Sequence, residues 1–220
     1  MDVKGLLNQV LNSGSSLGKS KLGKSSDSKH SSMLSGMGKG ILTGGAISAL
    51  LGSKKGRSVA GKAVGVGGAA ALGALALKTY QNWKANQSEG SQQNSSGMQL
   101  LPENEEKQSR VILKAMIAAA KADGHVDDSE KERIQKAFEL QGATAEMNRF
   151  LQQELEKPLD PAEIANEVYS PEEASEVYLA SLLVVDEQNF MEKAYLQELA
   201  RQLKLAPGLV QQLEAQVQTA

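Results

Sequence analysis

Residues 118–134 read A-A-A-K-A-D-G-H-V-D-D-S-E-K-E-R-I. Just upstream, Val111, Ile112, Ala115, Met116 and Ala119 recur at helical spacing. That spacing predicts a helix with one buried stripe. Asp123-Gly124 ends it, because glycine accepts the positive φ that closes a helix and aspartate tolerates the turn. Val126 is apolar and is expected to pack back onto the core. Asp127 or Asp128 can then accept the free N–H groups of a second helix. D-D-S-E (residues 127–130) has the spacing of a capping box, and Asp128 and Glu130 suit the positive end of the helix dipole. The stretch is therefore a helix, a short acidic turn and a second helix.

The turn fits two chemistries. Asp123, Asp127 and Glu130 are oxygen ligands close in sequence with a glycine at the bend, as a hard divalent cation such as Ca²⁺ requires. His125 would be an additional ligand. The pattern departs from the EF-hand loop, which needs D-x-D-x-D-G and a glutamate at its end. The same carboxylates are also fully accounted for as helix caps and terminators. A fainter copy occurs in V-V-D-E-Q-N-F-M-E-K-A-Y-L (residues 184–196), where Asp186 and Glu192 mirror Asp123 and Glu130 with the spacing off by one. Two helix pairs related by pseudo-symmetry would bring these four carboxylates around one cation. Helix–Asp–helix junctions also recur in any helical bundle.

Downstream, Ile134, Ala137 and Phe138 mark the inner face of a helix expected to stop at Gly142. Met147, Phe150, Leu151 and Leu155 mark the next, which Pro158 ends. Asp160-Pro161 reads as N-cap and N1 of a short helix carrying Ile164 and Val168. Ser170-Pro171-Glu172-Glu173 is a capping box with proline at N1, opening a helix that buries Ala174, Val177, Tyr178, Leu182 and Val185 and closes at Asp186. The following helix is expected to bury Phe190, Ala194, Leu199 and Leu203. Pro207 opens a last one with Val210, Leu213 and Val217. No run alternates at period two, so strands are not expected. Residues 102–220 read as an all-α domain of about seven helices.

The first hundred residues have another character. Val3, Leu6, Leu7, Val10 and Leu11 form a short amphipathic helix, too short to be stable alone in water. Residues 12–36 are rich in Ser, Gly and Lys and read as disordered, so residues 1–40 form an amphipathic start and a tail. Residues 41–84 are a Gly/Ala-rich, membrane-associated segment. Within it, residues 59–77 carry only Lys62 as a charge and at about 1.5 Å per residue match a bilayer core about 30 Å thick. Lys78, Tyr80, Trp83 and Lys84 would form its interfacial collar. Gly61, Gly65, Ala69 and Gly73 lie four apart, a stripe that lets membrane helices pack closely as a homo-oligomer or a hairpin. The expectation is a single-pass or hairpin anchor at a bacterial inner membrane, followed by a flexible linker over residues 85–101.

Composition narrows the function classes. Residues 1–100 hold twelve Lys/Arg against three Asp/Glu, and residues 101–220 twelve against twenty-three. A basic, apolar half beside an acidic half points to a lipid bilayer as a partner rather than nucleic acid. There are no cysteines and only two histidines, His30 and His125. No nucleophile–base pair and no His/Cys metal centre can be assembled, so the chain does not read as an enzyme and no cofactor beyond a divalent cation is expected.

The words A-x-A-D-G-H-V-D-x-x-E-x-x-x-I resemble the opening motif of the TerB-like helical domains, bacterial modules linked to tellurite resistance. K-P-L-D-P (residues 157–161), E-A-S-E-V-Y (residues 173–178) and V-D-E-Q-N-F-M-E-K-A-Y-L (residues 185–196) extend the likeness. The layout as a whole resembles the YebE-like inner-membrane proteins. The resemblance covers residues 105–217 well and the first hundred only in style. It implies an all-helical domain in which Asp123 and Glu130 belong to an acidic motif proposed to bind metal, and it implies no enzyme. Membrane-anchored protein interaction is the expected role, with an unidentified protein partner. Cation sensing through residues 123–130 is the alternative.

Overall fold

Pro102 opens a helix that runs to Ala120, and the bundle is built around it. A computed structural model of the chain describes residues 3–5, 7, 8, 11, 68–87, 102–122, 126, 128–140, 143–185 and 190–218. Its helices are α1 (Gly68–Gln87), α2 (Pro102–Ala120), α3 (Asp128–Leu140), α4 (Ala145–Glu156), α5 (Pro161–Ala165), α6 (Pro171–Val184), α7 (Phe190–Gln202) and α8 (Pro207–Gln218). Among the described residues there is no strand, so the all-α expectation holds.

The second half of α2 buries the expected stripe, and Leu113, Ile117 and Ala120 as well. It is covered on several sides because α6, α4 and α5 all pack on it. Val126, past the turn, packs against the core as expected. α6 is the central helix. It packs on α2, α1, α8 and α7, and every residue from 174 to 184 is buried. Its small residues, Ala174, Ser175, Ala180 and Ser181, let neighbours approach closely. The two serine hydroxyls stay satisfied by donating one turn back, to the carbonyls of Pro171 (2.8 Å) and Val177 (3.0 Å).

Local turn chemistry follows the sequence. The Asp160 carboxylate accepts from the N–H of Ala162 at 2.8 Å, with Pro161 at N1 of α5. The Ser170 hydroxyl accepts from the N–H of Glu173 at 3.1 Å. The reciprocal bond of this box is displaced by one residue: Glu173 Oε2 accepts from the N–H of Tyr169, at 2.9 Å, rather than from that of the cap.

Two expectations are corrected. In α7, Phe190 is 79 % exposed and Ala194 is exposed, while Glu192, Tyr195, Leu196, Leu199 and Ala200 face inward. Leu199 and Leu203 are buried as expected, so the correction is confined to the first half of the helix, where Tyr195 and Leu196 take the inward place given to Phe190 and Ala194. Helical periodicity alone admits both settings, and contact with α5 and α6 selects between them.

The second correction concerns the membrane. Residues 59–67 lie outside the described residues, and residues 68–77 form the first half of α1, which continues through Lys78, Gln81, Asn82 and Lys84. Ten apolar residues reach only about 15 Å, half of a bilayer core. Among the described residues no helix is long and apolar enough to cross a membrane. This overturns the single-pass or hairpin anchor and the inner-membrane localisation built on it. The apolar stripe of α1 is used within the protein instead: Leu72, Ala76, Thr79 and Tyr80 are buried, and α1 packs along α6 and α8. A fully buried leucine contributes about 1.5–3 kcal/mol, so the bundle competes effectively for this face.

The amphipathic start also finds its partner inside the chain. Val3 and Leu7 are completely buried. The Val3 N–H donates to Glu106 Oε1 at 2.9 Å, and Lys4 pairs with Glu105, which seats the segment against α2.

Candidate functional site

Asp123, Asp127, His125, Asp186, Gly61 and Gly65 lie outside the described residues. Glu130 falls in the first turn of α3 and Ala69 in that of α1. Glu192 is buried in the first turn of α7. Among the described residues no three His, Cys, Asp or Glu side chains converge as a metal site. Gly73, the last member of the small-residue stripe, packs against α6 within the bundle. A Cβ placed there would stand 2.9 Å from Glu176 Oε1.

What the structure does assemble at the end of α2 is a knot of lysines and glutamates. Lys114, Ala118 and Lys121 lie on one face of the end of α2, opposite the C-terminus of α4 and the start of α5. They line a small open cleft with Glu154, Lys157, Pro158, Asp160, Glu163 and Ile164. The Lys121 ammonium donates to the carbonyls of Glu154 (2.8 Å) and Lys157 (2.5 Å). It thereby satisfies carbonyls that the end of α4 leaves open. Lys121 and Lys157, one from each of two words that carry the resemblance, thus meet in space.

The charges of the cleft are mutually paired. Lys157 bridges Glu154 at 2.8 Å and Glu163 at 2.6 Å, and Lys114 holds Glu167 at 2.5 Å. The hydrogen bonds that Lys157 donates to Glu154 and Glu163 hold its pKa above the usual lysine range. The hydrogen bond from Lys157 holds Glu163 below the usual carboxylate range. Burial pushes Lys121 down, but its protons are committed to two carbonyls, which makes it a cap rather than a base. These contacts fasten the end of α2 to the end of α4 and to the segment around α5. Sequence reasoning missed it because lysines in helical registers read as solvent-facing charges.

A second missed residue is Glu176. It is 7 % exposed, at the junction of α6, α2 and α1. Gln108 donates to one carboxylate oxygen and Gly73 lies against the other. The available signal was a single carboxylate in a run, A-S-E-V-Y-L-A-S-L-L-V, otherwise small, apolar or aromatic. Among the described residues the most exposed large apolar side chains are Tyr169, before α6, at 87 %, and the successive residues Phe190 and Met191, opening α7, at 79 % and 54 %.

Comparison with known proteins adds a family. The chain is similar to an uncharacterized protein in the ampR 5′ region of Yersinia enterocolitica, 35 % identical over 109 residues, covering 50 % of this chain and 77 % of that protein. No solved structure matches it. Residues 36–217 match a family described as protein of unknown function, DUF533. A match over most of the chain, extending from upstream of α1 to the end of α8, makes it a member of the DUF533 family.

Proposed function

We propose that this protein is a TerB-like helical interaction module, acting by binding another protein rather than by converting a substrate. One observation carries the reading: Phe190 and Met191, successive residues at the start of α7, are both exposed. Aromatic residues and methionine are enriched at protein interfaces, and adjacent exposed apolar side chains mark contact surfaces more often than isolated ones do. The pair belongs to one of the sequence words shared with TerB-like domains. The paired charges around Lys121 support the same reading, since they spend their hydrogen bonds on holding helices together.

The test is site-specific photo-crosslinking in cells. A photoreactive phenylalanine at position 190 is expected to give one discrete adduct. The same group at Glu132, exposed on α3, should give none. Adding Met191→Asp should reduce the adduct at least tenfold, since removing an interface anchor costs at least about 1.4 kcal/mol. Equal labelling from positions 190 and 132, or an adduct indifferent to Met191→Asp, contradicts the reading.

A further inference from the structure

We propose that α1 is a strap on the bundle whose seating on α6 is set by the charge on Glu176. The inference stands on the geometry of that junction and is independent of the reading given to Phe190 and Met191.

Glu176 is covered by α1. A Cβ at Gly73 would lie 2.9 Å from one carboxylate oxygen and 3.5 Å from the carboxyl carbon, so the strap lies directly against the end of the Glu176 side chain. The other oxygen accepts from the neutral amide of Gln108 on α2. Neither contact supplies a positive charge. Along α1 the residues around Gly73 are Leu72, Ala74, Leu75, Ala76 and Leu77, and Lys78, the next charge, points to solvent. On α2, Glu105 is engaged by Lys4, Glu106 accepts from the Val3 N–H, and Lys114 is engaged by Glu167. Lys107 and Arg110 are exposed. On α6 itself Glu173, one turn earlier, faces Glu176 with like charge. From α8, Glu214 is held by the Tyr178 hydroxyl at 3.0 Å. Among the described residues no cation is set against Glu176, and a carboxylate buried in that way favours its protonated form.

The linkage has a definite sign. With α1 seated, burial first and Glu173 next push the Glu176 carboxyl up to about 7, against the opposing pull of Gln108. With α1 lifted, the group is solvated and returns toward its ordinary value of 4.5. The seated form therefore binds the proton more tightly. Seating is strongest below the ordinary value, weakens as pH rises through the interval, and levels off above about 7. Between acid and mildly alkaline pH the seating equilibrium should weaken on the order of 100-fold. Ionised Glu176 thus loosens the strap and bares an apolar face of α6.

Hydrogen exchange of the full chain, corrected for the intrinsic pH dependence of exchange, tests this. Protection of the amides at 72–80 is expected to fall on the order of 100-fold from about pH 4.5 to 8, with the amides at 112–119 of α2 unchanged. Glu176→Gln, neutral and nearly isosteric, should hold residues 72–80 at the acid level throughout. Flat protection in the unmodified chain overturns the proposal, and that outcome needs no variant to fold. A slope that survives Glu176→Gln assigns the titration elsewhere and also overturns it. Parallel loss in α2 overturns it too, because the event is then global unfolding rather than release of a strap.

Discussion

Gly73→Val is expected to unseat α1 and to lower stability by about 1–3 kcal/mol, the usual cost of forcing methyl groups into a filled contact. Magnitudes decide which substitution shows this. Gly73→Ala gains about 1 kcal/mol of helix propensity and asks only that the end of the Glu176 side chain give way, so its net effect should be near zero. Valine adds two methyls against a carboxylate 2.9 Å from the new Cβ and loses part of the propensity gain through its branched carbon. The reporter is built in. Trp83, the single tryptophan, lies on α1 with its Nε1 3.3 Å from where a Cβ of Gly208 on α8 would stand. Unseating should shift its emission to the red and lower the urea midpoint. A valine variant matching the parent in both would show that α1 does not rest on α6.

Phe138→Ala should destabilise the chain by about 3–5 kcal/mol, the range for emptying a buried phenylalanine site. Phe138 is completely buried and Ile134 nearly so, and these two carry α3 onto its main neighbour, α4. α3 is the helix into which the acidic turn leads, so the loss should be felt there first. Urea unfolding with an unchanged m-value and a lower midpoint is the expected record. A midpoint within about 0.5 kcal/mol of the parent, the spread of ordinary surface changes, would mean that α3 is anchored by something else.

Where structure is decided by a few adjacent residues, the sequence was a good guide. Asp160-Pro161 and Ser170-Pro171 start helices because proline fixes φ and the preceding side chain takes a free N–H. The stripe from Val111 to Ala119 named the core of α2. Reading failed where the outcome depends on a distant surface. In α7, turning the helix so that Tyr195 and Leu196 enter the core leaves Phe190 outside, and the packing of α5 and α6 against α7 makes that choice. For α1, glycine, alanine and leucine at spacing four serve a lipid-embedded pair and a strap on a helical bundle equally well. The polar residues from Lys78 to Lys84 read as an interfacial collar, but they are the continuation of the same helix along α6 and α8. Glu176 was invisible for a related reason, since its burial takes three helices that are far apart in the chain. Lys121 and Lys157 became partners only once α2 and α4 were laid end to side.

The apolar face of α1 belongs to the bundle, and the roles given to Gly73, Glu176 and Trp83 all depend on that. Amide hydrogen exchange of the purified 220-residue chain at about pH 5, where Glu176 is protonated, tests it most directly when run with and without phospholipid vesicles and with no detergent present. Residues 72–80 should be protected to a degree comparable with residues 112–119 in plain buffer, and vesicles should change nothing. Exchange of residues 72–80 at unfolded-chain rates in buffer, slowed only when vesicles are added, would contradict it.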